Sequence, residues 1–91
     1  MALVNVTETL VRMVLDHEFI ERELVCSCEQ CVADVMALTL NQLPARYVST
    51  DQGLAYVKVQ YFNPQIRSDI FKELTLAAGQ VAMKPHHAQG S

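Results

Sequence analysis

Cys26-Ser27-Cys28-Glu29-Gln30-Cys31 runs directly into Val32-Ala33-Asp34-Val35-Met36-Ala37-Leu38-Thr39-Leu40-Asn41 and, past Gln42, into Leu43-Pro44-Ala45-Arg46-Tyr47. This stretch holds all three cysteines of the chain and its most apolar helical run. Pro44 cannot continue a helix and biases Leu43 away from helical geometry, so the run ends at Asn41 to Leu43. Between Val32 and Leu40 the only charge is Asp34. A helix that is apolar nearly all round is buried on more than one side, and in so small a domain a partner subunit is the expected second cover. The reading puts Asp34 in the first turn, where the helix dipole favours a carboxylate.

Upstream, Asn5-Val6-Thr7-Glu8 has the form of a capping box, with a side-chain acceptor followed three residues later by a carboxylate. Leu10, Val14, Ile20 and Leu24 then share a helical face that Val6 and Met13 widen, which predicts a first helix from Val6 to Leu24 or Val25. His17 projects near the middle of that face. The preferred reading makes it a core histidine bonded to a backbone group or to Glu21. Metal ligation is the alternative.

Downstream, Pro44 to Thr50 reads as extended, and Asp51-Gln52-Gly53 as a turn. Leu54 to Phe62 has strand-like content, but a lone strand finds no partner in the sequence and an isolated hairpin is barely stable. Helix is preferred there, with a short extended segment as the alternative. Asn63-Pro64 suits an N-cap and first helical residue. Ile66, Ile70, Leu74, Ala77 or Ala78, and Val81 then form a helical stripe that stops before Pro85.

The 91 residues suit one domain, expected over 1–85, with a polar tail at 86–91. A chain this short buries only about two thirds of the surface that its unfolded form exposes. Such domains usually add a metal, disulfides or oligomerisation. With 51% hydrophobic residues and few charges, a homodimer is the simplest cover for the remaining apolar surface. A net charge of −3 argues against direct nucleic-acid binding. The start lacks the pattern of a signal peptide, and the longest uncharged run, Val35 to Ala45, is short of the roughly 20 residues that span a bilayer. The expectation is a soluble cytoplasmic protein with no membrane partner.

In that compartment clustered cysteines point to metal or redox chemistry rather than to a disulfide framework. Cys26-x-Cys28-x-x-Cys31 brings three thiolates within reach of one tetrahedral ion where a turn enters a helix, and the helix N-terminus favours the ligating form. A closed structural zinc site needs a fourth ligand, and His87, His86 and His17 are the candidates. The plain alternatives are cysteines buried as small hydrophobes and histidines that do nothing. Thioredoxin-like exchange at Cys28-x-x-Cys31 lacks its βαβ context.

Arg46, Lys58 and Arg67, with Tyr47, Tyr56 and Tyr61, are materials for holding a phosphorylated heterocycle, because guanidinium binds phosphate in a bidentate manner and rings stack on bases. Surface arginines and amphipathic tyrosines are the ordinary alternative. No glycine-rich phosphate loop, nucleophile elbow or H-E-x-x-H is present, so a non-enzyme is expected.

The passage Cys26-x-Cys28-x-x-Cys31-x-x-Asp34-Val35-x-Ala37-Leu38-x-Leu40-Asn41-x-Leu43-Pro44-x-x-Tyr47-Val48 resembles the late competence development protein ComFB family. The likeness extends to Val4-Asn5, to Gly53 with Tyr56 and Lys58, to Gln65-Ile66-Arg67-Ser68-Asp69-Ile70, and to the tail with its proline and histidine. The family's usual second proline is Ala45 here. The resemblance implies a small, mostly all-α bacterial cytosolic protein of three to four helices, dimeric, with zinc on the cysteines. It makes His87 the preferred fourth ligand. It further implies a receptor for a cyclic dinucleotide, cyclic di-GMP or cyclic di-AMP, for which the charge and ring chemistry near the loop makes Arg46, Tyr47, Lys58 and Arg67 the expected anchors. The alternatives are an adaptor for an unknown regulatory protein in competence or motility, and a thiol or metal sensor.

Overall fold

A computed structural model describes residues 2–83. The order of elements is strand β1 (Leu3–Asn5), helix α1 (Val6–Val14) continuing into a π-helical segment (Leu15–Ile20), α2 (Glu29–Leu40), β2 (Tyr47–Ser49), α3 (Thr50–Tyr61) and α4 (Pro64–Met83). Among the described residues the chain is therefore mostly helical, with four α-helices, within the three to four expected. The preference for helix over Leu54 to Phe62 holds as far as Tyr61, with Phe62 as the C-cap.

Asn5 starts α1 as predicted, its side chain accepting from the Thr7 N–H at 3.2 Å. The same oxygen accepts from the Arg46 N–H at 3.0 Å, and the Val6 N–H donates to the Arg46 carbonyl at 2.8 Å. Thr7 Oγ1 donates to the Pro44 carbonyl at 2.8 Å. These bonds fasten the loop after α2 to the start of α1. They also set β1 antiparallel to β2, with Val4 opposite Val48. No partner for a strand is legible in the sequence. The ribbon exists because two three-residue segments far apart in the chain rest together on α3.

Gly53 marks that contact. A Cβ there would lie 2.9 Å from Val4 Cγ1 and 3.4 Å from Val48 Cγ2. The expected turn at Asp51-Gln52-Gly53 is instead the first turn of α3, and the glycine serves close approach rather than chain reversal.

The first helix departs from its prediction as well. After Val14 the hydrogen bonds shift to the wider i→i+5 pattern, as in the Glu21 N–H to Asp16 carbonyl bond of 3.1 Å. This delays the helical phase, so Leu15 and Phe19 face the core while His17 turns outward. His17 does bond Glu21, with Nδ1 3.1 Å from Oε2, but its side chain is 54% exposed. It is no core histidine. Leu24, expected on the stripe, is 59% exposed.

The helix ends before Leu24. Glu23 has φ 57°, its N–H bonds the Ile20 carbonyl, and the Leu24 N–H reaches back to Phe19. This is a Schellman termination with glutamate where glycine is usual, and the left-handed residue costs about 1–2 kcal/mol.

The core gathers Val6, Leu10, Val11, Val14, Leu15 and Phe19 against Val35, Ile70, Leu74 and Val81. Each fully buried side chain of this kind contributes roughly 1.5–3 kcal/mol. Phe19 packs against Phe71, the rings tilted by 43° with centroids 5.0 Å apart. The longest helix, α4, starts at Asn63, whose Oδ1 accepts from the Gln65 N–H at 2.9 Å, and buries Ile70, Leu74, Ala77 and Val81. Helix α2 packs chiefly on α4 through Cys31, Val32, Val35 and Thr39. Ala33, Ala37 and Leu38 stay exposed, so this chain alone does not bury α2 on two sides. Cys28 is the α2 N-cap and Glu29 its first-turn acid, which moves Asp34 into the second turn.

Candidate metal centre and binding cleft

The loop after the Schellman turn brings Cys26 and Cys28 to the start of α2, and Cys31 follows on its first turn. The three Sγ atoms lie within 4.8 Å of one another. Cys28 Sγ accepts from the Cys31 N–H at 3.4 Å, so sulfur replaces the oxygen of an ordinary N-cap. Tetrahedral thiolate sites with metal–sulfur distances of about 2.3 Å hold their sulfurs somewhat less than 4 Å apart. A contraction of about an ångström brings the cluster to that geometry, so the donor set fits a thiophilic metal ion. Cys26 is exposed, Cys28 half-buried and Cys31 buried. Burial, with the neighbouring thiols of Cys28 and Cys26, pushes the Cys31 thiol from 9.0 up to about 12. A metal ion reverses that balance, because its charge replaces the missing solvent and the thiolate becomes the bound form. The proposed fourth ligand His87, like His86, lies outside the described residues. His17 sits on the outward face of the π-helical segment with Glu21.

Past the far end of α2, a cleft of ≈ 110 Å³ opens between α1, α3 and α4, bordered by Thr7, Pro44, Arg46, Tyr56, Gln60 and Asp69. Arg46 has its backbone pinned by Asn5 and Val6, and its guanidinium stands 5.8 Å from the Tyr56 ring centroid. Tyr47 begins β2 and is 64% exposed. Lys58 lines a different, apolar groove with Val4, Met13 and Leu54. Arg67 lies 4.8 Å from the Tyr61 ring centroid and 3.4 Å from Glu18, which also pairs with Arg22 at 3.2 Å. The structure thus brings Arg46 and Tyr56 together, leaves Tyr47 on the neighbouring strand, and sets Lys58 and Arg67 in other surroundings. Thr7, Gln60 and Asp69 were missed as cleft residues. Only the i, i+4 spacing of Tyr56 and Gln60 on α3 offered a signal, and it needed α4 opposite to gain meaning.

These features define a class: a small helical domain whose second helix starts on three convergent thiols and ends in a loop fastened to the first. Residues 4–85 match the model of the late competence development protein ComFB family. The chain is 30% identical over 83 residues to the competence protein ComFB of Bacillus subtilis (strain 168), covering 91% of this chain and 85% of that relative. The solved structure of the late competence protein ComFB from Bacillus subtilis superposes with a TM-score of 0.81 at 27% identity, covering 99% of this chain and 100% of the other. The chain belongs to the ComFB family. No helix among the described residues is long and apolar enough to cross a membrane.

Proposed function

We propose that this chain is a non-enzymatic, cytoplasmic signalling module of the competence type, a homodimer that holds structural zinc and binds a cyclic dinucleotide. Cys26, Cys28 and Cys31 would supply three zinc ligands and His87 the fourth. A closed four-ligand site supplies a cross-link and no open position for catalysis. The observation that carries the ligand reading is the Arg46 guanidinium beside the Tyr56 ring at the cleft mouth, a cation for phosphate and a ring for a base.

At ≈ 110 Å³ the cleft is smaller than the roughly 300–1,000 Å³ of sites that enclose a drug-sized ligand. It has room for part of a dinucleotide. A cyclic dinucleotide of two identical halves has two-fold symmetry, and a two-fold dimer presents two equivalent edges to it. Tyr47, Lys58 and Arg67 complete the proposed anchors, and the last two must act from outside this cleft.

Calorimetry with cyclic di-GMP and cyclic di-AMP on zinc-loaded protein tests the reading. Expected is saturable heat with at least one, one ligand per dimer, and an Arg46→Ala variant weakened at least about tenfold. No heat with either nucleotide sinks it.

Two other readings have their own support. Leu54, Val59, Phe62 and Leu76, all more than half exposed, support an adaptor that recruits a regulatory protein. The exposed Cys26 beside two further thiols supports a thiol or metal sensor, which requires reversible metal release under mild oxidant.

A further inference from the structure

Helix α3 buries one side, through Gly53 and Val57, and turns an apolar side to solvent. Leu54, Val59 and Phe62 are 69, 68 and 74% exposed, and Ala55 is exposed with them. Asp51, Ala55, Lys58 and Phe62 recur at the i, i+4, i+7, i+11 spacing of a helix–helix seam, with Leu54 and Val59 on its flanks. A solvated helix face is normally polar, so this one lacks a cover.

We infer that this face of α3 packs antiparallel on the same face of a second copy, about a two-fold axis passing between Leu54 and Ala55. The charges select the arrangement. A parallel pairing sets Asp51 on Asp51 and Lys58 on Lys58, two repulsions along the seam. The antiparallel pairing sets Asp51 of each copy against Lys58 of the other, and the two-fold axis makes that attraction twice. In the same register Leu54 faces the small Ala55, which lets the backbones approach. Phe62 extends past the start of the opposite helix towards β2, where Tyr47 is 64% exposed. The groove lined by Val4, Met13, Leu54 and Val57 borders the seam and offers a hole for a flanking side chain.

This inference rests on the homodimer reading and names its surface and register. Light scattering coupled to size exclusion, over a concentration series of zinc-loaded protein, provides the test. Val59→Glu is expected to give monomer while circular dichroism stays that of wild type. Asp51→Lys and Lys58→Asp are each expected to raise the dimer dissociation constant at least about tenfold, and the double exchange to recover most of that loss. Recovery separates the pair from the helix-dipole cost of a lysine at residue 51, which persists in the double variant. A wild-type dimer indifferent to Val59→Glu and to both exchanges overturns this surface and leaves the homodimer standing. Monomeric wild-type protein at every concentration overturns both.

Discussion

At the start of α2 three sulfurs converge within 4.8 Å and the innermost, on Cys31, is buried. Past the other end of the same helix, the chain exposes Tyr47 and holds Arg46 over a ring at the edge of a small cleft. The first end is built from sulfur atoms, one of which already caps α2 and all three of which could ligate one ion. The second is built from side chain–backbone bonds, the Arg46 N–H donating to Asn5 Oδ1 and Thr7 Oγ1 donating to the Pro44 carbonyl, which need nothing else to form. The proposed structural fastener and the proposed recognition edge thus occupy opposite ends of one element, and they should respond differently to the same insult.

Metal removal is the strongest way to separate them. Chelation, or Cys31→Ser, is expected to lower the melting temperature by about 10 °C or more, since structural zinc binding contributes directly to folding. Ligand affinity should fall only as far as the fold does. A collapse of affinity at temperatures where the metal-free chain is still folded would show that the two ends are one site. In metal-free protein the raised Cys31 pKa gives the sign of the pH effect. The unfolded thiol ionises near 9.0 and the folded one near 12, so the folded state holds the extra proton between them. Stability is full below pH 9 and falls as pH rises through that window, which urea titrations at stepped pH would detect.

At the recognition end, Gly53→Ala forces a Cβ against Val4 at 2.9 Å and is expected to cost about 1–3 kcal/mol by urea unfolding, loosening the β-ribbon beside Arg46. Arg46→Ala is the sharper probe of function. Its guanidinium is a surface group, so stability should change by less than about 0.5 kcal/mol while nucleotide binding is lost. An equal loss of both would recast Arg46 as a structural residue. A small gain is expected at Glu23→Gly, in the turn that leads into the cysteine loop. Replacing a left-handed glutamate at a Schellman position should stabilise by about 0.5–1 kcal/mol. No gain would mean that the Glu23 side chain supports the cysteine loop.

Much of this contrast was readable in one dimension because its signals are local. The cysteine spacing, the stop at Pro44 and the stripe from Ile66 to Val81 each depend on neighbours within a few residues. Family membership was likewise carried by the segment from Cys26 to Val48. The misreadings lie where distant segments meet. Gly53 reads as a turn residue until β1 and β2 are laid against it. His17 reads as a core residue until the π-helical segment shifts its phase. That Lys58 and Arg67 lie in surroundings other than those of Arg46 was likewise not legible, because charge type, unlike direction, is visible in a string of residues.

The sequence by itself determined that this is a mostly helical domain of the ComFB family with three thiols gathered at the start of α2. The helices and the thiol cluster follow from periodicity, capping and short spacing, which act within a turn or two of the chain, and the family from the residue pattern between Cys26 and Val48. Only the tertiary structure decided that the loop after α2 is tied to the start of α1, that Tyr56 is the residue beside Arg46, and that α3 turns an apolar face outward. Those outcomes depend on how distant elements pack, where each contact is chosen against every other surface the chain could have buried.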